Sequence, residues 1–389
     1  MSKTKDKHSF IETFLHNAGK YPEHSALYDD LHPKGIDNQT LLFLSSKVYR
    51  WLKEKGLGKE DFVLINLPRG AMPVIAIIGV WRAGCAFTLV EEGYASERID
   101  YIRKDCGCKA EINEHTWTKI MLCRPLEGYE KVDLHDAAYA VYTSGTTGNP
   151  KGVLHEFGNV MQTVDAHRID GKSFIDAGER IALIAPLNFV ASVMIIILSL
   201  YYKKTVLYIV PYRIVKNPGL LLKFFDEKRI SLTFLSPSYI RRLPGKISPH
   251  MKKMIVGSEP ASQIWMENID IYNCYAMSES GFPLSVFGVD KAYDTCPIGK
   301  PRFDIDIKLI DDSGQEVPEG ESGEICFTNP YVRGYINLSE ETAEHFRGGW
   351  FHTGDIGKRD TNENLVLMGR SGDMIKINGN RIEPAEIEA

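Results

Sequence analysis

Apolar and polar positions along the chain follow two periods, and the change from one to the other divides the sequence. Over 40–57 apolar residues recur at Leu42, Leu44, Val48, Trp51 and Leu52 before Gly56, which predicts a helix. The short apolar run 62–67 predicts a buried strand, 73–83 a helix opened by Pro73, and 86–90 another strand. This is a β-α-β unit, the mark of a parallel sheet covered by helices. Strands are also predicted at 138–142 and after 152, followed by a helix from Asn159 to about position 167 and an apolar helix at 191–200. The alternation resumes with strands at 205–210, 231–235, 254–256 and 271–275 and helices at 218–227, 239–243 and 262–268. From 298 the period shortens to two. Ile305, Ile307 and Leu309 fall on one face, Asp304, Asp306 and Lys308 on the other, and a Ser313-Gly314 turn leads to a strand at 323–327. The expected fold is α/β: two doubly wound, mainly parallel sheets covered by helices, with a small antiparallel β-barrel. The expected organisation is a core at 1–368, divided near 290, then a hinge and the start of a truncated further domain at 369–389.

Composition changes this picture little. Of 389 residues, 43% are apolar and 25% charged, as in an ordinary globular protein. A net charge of −5 argues against a broad nucleic-acid or anionic-membrane surface. The first nine residues are polar, and the apolar stretch 181–200 is interrupted by Pro186, Asn188, Ser192 and Ser199, so no membrane partner is expected. Seven cysteines without paired spacing point to a reducing, cytoplasmic setting and no structural metal; Cys106-Gly107-Cys108 is too tight for a zinc knuckle.

The chemistry concentrates between two predicted strands, in Tyr142-Thr143-Ser144-Gly145-Thr146-Thr147-Gly148-Asn149-Pro150-Lys151-Gly152. Glycines let the backbone approach a ligand, successive N–H groups form an anion-binding concavity, and hydroxyls add donors. Lys151 adds a point charge suited to phosphate. The loop reads as a phosphate clamp. It is not a Walker A loop, since Lys151 follows Pro150 and Gly152 stands where Ser or Thr would bind magnesium.

The order of these eleven residues resembles the signature loop of the adenylate-forming superfamily, which includes acyl-CoA synthetases, luciferases and the adenylation domains of nonribosomal peptide synthetases. Other segments are similar to that family in the right order. Asn273-Cys274-Tyr275-Ala276-Met277-Ser278-Glu279 resembles Asn-x-Tyr-Gly-x-Thr-Glu, which implies Tyr275 on adenine, Ser278 on the α-phosphate or acyl carboxylate, and Glu279 on magnesium. Gly257-Ser258-Glu259-Pro260 resembles a loop lining the adenine and acyl pocket. Phe351-His352-Thr353-Gly354-Asp355 is similar to Tyr-Arg-Thr-Gly-Asp, implying Asp355 on the ribose hydroxyls, and Arg370 opens a segment similar to the family hinge, which bends at Gly372. Arg333-Gly334-Tyr335 matches a structural motif of the family.

The resemblance implies ATP and Mg2+ as cofactors, with phosphates held by Thr143, Ser144, Gly145, Thr146, Thr147, Gly148 and Lys151. The reaction implied is activation of a carboxylic or amino acid as an acyl-adenylate, followed by transfer to a carrier-protein phosphopantetheine or CoA thiol. The lead-in strand and the 381–388 tail look most like peptide-synthetase adenylation domains. The substrate pocket implied is Phe189, Val190, Met194, Phe234, Met254, Val256, Cys274 and Phe282, all apolar. Peptide-synthetase relatives carry an aspartate where Val190 stands, so a substrate without an α-amino group is expected, with Glu259 as a substitute acid otherwise. The family lysine that bridges carboxylate and α-phosphate belongs to the small C-terminal domain and is expected to be missing, which would weaken adenylation. Three alternatives remain at this point: an acyl-CoA synthetase-like ligase, a non-catalytic nucleotide- or acyl-binding module, and an unrelated phosphotransferase.

Overall fold

The computed structural model describes residues 9–143, 149–165, 168–169, 172–173, 175–302, 305–370, 375–377 and 380–382, with the backbone alone for 168–169, 172–173, 375–377 and 380–382. Its contacts divide the chain into two units. One comprises Met1–Val141, Leu154–Asp165 and Ile175–Pro211; the other comprises Tyr142–Val153, Ala166–Phe174 and Tyr212–Ala389.

The first unit opens with helix Phe10–Lys20, fixed by a capping box in which Ser9 and Glu12 exchange hydrogen bonds. Strand Phe62–Asn66 pairs in parallel with Ala86–Leu89 and Ala110–Asn113, and Phe87 and Thr88 pair with Tyr139 and Ala140. Helix Ala71–Arg82 makes the crossover and is buried nearly all round, as its unbroken apolar composition requires. A second parallel group runs Arg180–Leu183, Val206–Ile209, Ser25–Tyr28, with Ile36–Asp37 antiparallel at its edge. Arg69, in the loop after Phe62–Asn66, ties the two groups together. Its guanidinium donates to the carbonyls of Leu183, Ile184, Ala185 and Val210 at 2.7–3.1 Å. A planar fork with five donors suits a cluster of strand-end carbonyls that a lysine could not span.

In the second unit Leu232–Leu235, Lys253–Gly257 and Asp270–Tyr275 are parallel, and Ser285–Val289 and Lys300–Pro301 continue antiparallel. Helix Pro218–Glu227 begins as its sequence dictates, with Asn217 capping Gly219 and Leu220 and Pro218 in the first turn. The helix expected at 262–268 does not form. Gln263 and Asn268 take left-handed φ values of 57° and 66°, and the backbone there bonds elsewhere: Gln263 N to Tyr293 O, and Arg241 Nη2 to Ser262 O. Tertiary partners satisfy groups that a helix would have paired internally.

Beyond this lies the antiparallel part. Ile307–Ile310, Gly323–Phe327, Trp350–Arg359, Phe346–Arg347 and Leu365–Arg370 form a five-stranded sheet curled as a half-barrel. Its inner face, with Ile305, Ile307, Leu309, Ile325, Phe327, Phe351 and Leu365, packs with Tyr275, Phe282 and Leu284 in one core cluster. Gly299 sits at the seam with φ +86°, where a Cβ would lie 2.0 Å from Val286 O. Only glycine fits that backbone approach. Strand Val332–Tyr335 runs on to Ile336, whose N–H donates to Gly152 O at 2.8 Å.

Candidate active site

Two polar groups in the second unit collect the predicted site residues. The first lies where the phosphate loop ends. Of that loop, 144–148 fall outside the described residues, but both flanks are present. Thr143 closes strand Ala137–Thr143, and its Oγ1 is buried with no hydrogen-bond partner among the described residues. Lys151 opens strand Lys151–Glu156 and is 4% exposed, and its ammonium pairs with Glu341 of helix Ser339–His345. Lys151 Nζ also lies 5.9 Å from the ring centroid of Tyr335. The Tyr335 hydroxyl donates to Glu279 Oε1 at 2.9 Å, and Thr342 Oγ1 fixes Tyr335 by accepting from its N–H at 2.9 Å. Glu279 is 2% exposed. Cation and carboxylate are therefore both buried, in one group. The chemistry of this set fits a magnesium nucleotide: an orphaned hydroxyl, a lysine for phosphate, and a hard carboxylate ligand for the metal.

Glu279 and Ser278 share the turn that follows strand Asp270–Tyr275. Ser280 braces that turn, accepting from Met277 N–H and donating to the Met277 and Phe282 carbonyls. Ser278 is half-buried.

The second group is built on Tyr275. Its hydroxyl donates to Asp355 Oδ2 at 2.7 Å, and Arg370 Nη1 lies 3.2 Å from Asp355 Oδ1. Asp355 and Arg370 are cross-strand partners, so the sheet register sets that pair. Burial, and then the neighbouring Asp355 charge, push the Tyr275 phenol well above its usual range, so it stays a neutral donor. Asp355 is held from behind as well: its N–H donates to Thr353 Oγ1, which donates to Ile325 O. A carboxylate has about four acceptor positions, so two committed bonds leave room for a vicinal diol. The Tyr275 ring itself is 6% exposed and belongs to the same cluster as Phe282 and Leu284.

The apolar positions expected to line an acid pocket do not all share one face. Phe234 pairs in register with Ile255, and Cys274 with Gly257, which places Phe234, Gly257 and Cys274 on one side of the sheet. Gly257 permits that: a Cβ there would be 2.7 Å from Cys274 O and 3.7 Å from the Phe234 ring. Met254 and Val256 alternate to the opposite side and are fully buried. Phe282 lies in the half-barrel cluster, under the Arg302 guanidinium at 4.5 Å. Phe189, Val190 and Met194 belong to the first unit, where Phe189 precedes helix Val190–Tyr201 and no acidic residue stands in its first turn. Both carboxylate oxygens of Glu259 are engaged, by the N–H and hydroxyl of Ser238. Gly372 of the hinge and the tail from 383 lie outside the described residues.

Sequence alone implies a structural place for Tyr335 and does not single out Glu341. The Arg333-Gly334-Tyr335 motif marked the place of the first, whereas nothing in the local pattern distinguishes Glu341 from Glu340 or Glu344.

Comparison with known proteins bears on the family and the fold. The chain is 30% identical to surfactin synthase subunit 1 of Bacillus subtilis (strain 168) over 97% of its own length and 12% of that protein. It is 26% identical to tyrocidine synthase 1 of Brevibacillus parabrevis over 98% of its length and 38% of that protein. It therefore spans a minor part of these relatives. Among solved structures it is similar in fold to o-succinylbenzoate coenzyme A synthetase (MenE) from Bacillus subtilis in complex with AMP. There the TM-score is 0.80 at 22% identity, covering 97% of this chain and 82% of that one. It is likewise similar to the N-terminal domain of FACL13 from Mycobacterium tuberculosis, with TM-score 0.80 at 20% identity, covering 94% of this chain and 100% of that one. A model of the AMP-binding enzyme family matches residues 14–336. Since that match runs through most of its length, the chain belongs to the AMP-binding enzyme family.

Proposed function

We propose that the chain activates a carboxylic acid with ATP. A carboxylate oxygen attacks the α-phosphorus, the bond to the bridging oxygen breaks, and pyrophosphate leaves with that electron pair, giving an acyl-adenylate. A thiol sulfur then attacks the acyl carbon and AMP departs, the thiol proton passing to solvent. Little covalent chemistry falls to the protein; positioning and charge neutralisation do most of the work. In this reading Thr143, Lys151 and the 144–148 segment bind phosphates, Glu279 holds Mg2+, Ser278 meets the reacting phosphate or carboxylate, and Asp355 with Arg370 binds ribose. The acceptor favoured is a carrier-protein pantetheine, on the likeness to surfactin synthase subunit 1 along 97% of the chain, with CoA as the other thiol.

The observation that carries the reading is the Tyr275–Asp355–Arg370 group, which holds a buried carboxylate within strand Trp350–Arg359 with acceptor capacity to spare. Asp355→Ala tests it by calorimetry with ATP and with pyrophosphate. Charge-assisted hydrogen bonds are each worth roughly 1.5–3 kcal/mol, so ATP affinity should fall at least about tenfold. Pyrophosphate affinity should hold within about twofold. An equal loss for both ligands would take Asp355 off the sugar.

The acid favoured has no α-amino group. Val190 begins its helix buried, at 6% exposure, at a position where peptide-synthetase relatives place an aspartate for the substrate ammonium. An unpaired ammonium beside it would be disfavoured by several kcal/mol. A hydroxamate screen should rank aliphatic, aryl, hydroxy or keto acids above their α-amino counterparts, and Val190→Asp should shift the preference toward the amino acid. A native preference for α-amino acids would refute this assignment.

A further inference from the structure

The strand pair Gly323–Phe327 and Trp350–Arg359 carries a group of donors that nucleotide chemistry leaves unused. The antiparallel register sets Cys326 opposite His352, and the two-residue period puts Glu324 on the same face as Cys326. An irregularity between Glu324 and Cys326 lets both reach the imidazole. His352 Nδ1 lies 2.9 Å from Glu324 Oε2 and 3.4 Å from Cys326 Sγ. The donor atoms of all three residues lie within 4.8 Å of one another.

A ring nitrogen has either one proton or one lone pair, so its stronger hydrogen bond goes to the carboxylate at 2.9 Å and the thiol at 3.4 Å is left at most a shared one. A simple strand lock needs only Glu324 and His352. The thiol is the part a lock does not require, and its distance matches another arrangement. A tetrahedral ion with sulfur at about 2.3 Å and nitrogen at about 2.0–2.1 Å holds those two atoms about 3.5 Å apart. We propose that Glu324, Cys326 and His352 form a binding site for a zinc-type divalent cation, distinct from the magnesium site assigned to Glu279.

The ligand types set the selectivity. Thiolate with imidazole suits zinc, whereas magnesium takes oxygen ligands. Three protein ligands leave one position of a tetrahedron open to solvent or a small ligand. The ion enters from the edge where the His352 and Glu324 side chains are 13% and 23% exposed, and the Cys326 proton leaves to solvent as the thiolate binds. Cysteine spacing led us to expect no structural metal; it could not reveal a site completed by a histidine 26 residues further on. Occupancy also has a reach beyond the site. Glu324 Oε1 accepts from Gly354 N–H at 2.8 Å, so the same carboxylate that would bind the ion also fixes the backbone next to Asp355.

The test is titration of the full chain, stripped with a chelator, with Co2+ under reducing conditions. One equivalent should bind with a thiolate-to-cobalt charge-transfer band. The band should vanish in Cys326→Ser and persist in Cys108→Ser, the control for the close Cys106 and Cys108 thiols. His352→Lys separates ligation from folding, because lysine can still donate to Glu324 but remains protonated and cannot ligate. It should melt near the wild-type temperature without metal, show no band, and lose the rise in Tm that zinc gives the wild type. Absence of the band in the wild type, its survival in Cys326→Ser or His352→Lys, or its loss in Cys108→Ser would overturn the proposal.

Discussion

Tyr275 joins stability to site geometry through a single oxygen. Its phenol stays neutral because burial, and then Asp355, hold the proton in place, and that proton satisfies Asp355 Oδ2. Tyr275→Phe should therefore destabilise the chain by roughly 1–3 kcal/mol, the usual cost of leaving a buried charged acceptor short of a partner. The denaturant midpoint at neutral pH reads this directly. Combined with Asp355→Asn, the two losses should be non-additive, since both remove one contact; strict additivity would show that the hydrogen bond carries no energy. At this scale part of the candidate site was legible: Tyr275, Glu279, Asp355 and Lys151 stood out by motif, and the structure buries each of them within one of the two polar groups. Glu341 was not legible, since a glutamate on an acidic helix looks the same whether it faces solvent or a buried lysine.

At the scale of elements, long periodic segments were read correctly and short ones depended on their partners. Helix Pro218–Glu227 follows its own caps, as the sequence implied. The 262–268 segment had helical composition, yet Tyr293 and Arg241 supply its hydrogen bonds from elsewhere in the chain. Local pattern cannot foresee such competition. Nor could alternation alone tell that Val256 and Phe234 point to opposite sides, because strand register decides it. Gly299 is the sharpest test of the seam between the two sheets of the second unit. Gly299→Ala combines a left-handed φ with a backbone clash and should cost at least about 2 kcal/mol. Gly288→Ala, with open space around it, should stay within about 0.5 kcal/mol. Equal melting temperatures for the two variants would contradict the packing described.

For the molecule as a whole, the order of motifs gave the family and fold class, but the division into units was hidden. Segments 142–153 and 166–174 belong with residues from 212 onward, so the boundary weaves through the chain and no single cut in the sequence marks it. Among the described residues, no helix is long and apolar enough to cross a membrane. Alkaline pH should reveal how much the interior depends on neutral thiols. Burial raises Cys85 and Cys274 from 9.0 to about 12 and Cys296 to about 11. Their folded values exceed the unfolded ones, so the stabilisation is complete below about pH 9 and is lost progressively as pH climbs from there to 11–12. Denaturant midpoints should fall steeply over that window, and Cys274→Ala should flatten the fall. A midpoint independent of pH from 9 to 11 would contradict this account.

The pairing of Lys151 with Glu341 has a consequence for how a nucleotide arrives. The lysine is already charge-balanced, so in the proposed role an incoming phosphate would have to displace the Glu341 carboxylate before taking its place. Binding becomes an ion exchange, the protein's own anion leaving for the ligand's, instead of capture by an open positive charge. Raising salt screens both partners of such an exchange, so affinity should depend on ionic strength less than the lysine's charge alone would suggest.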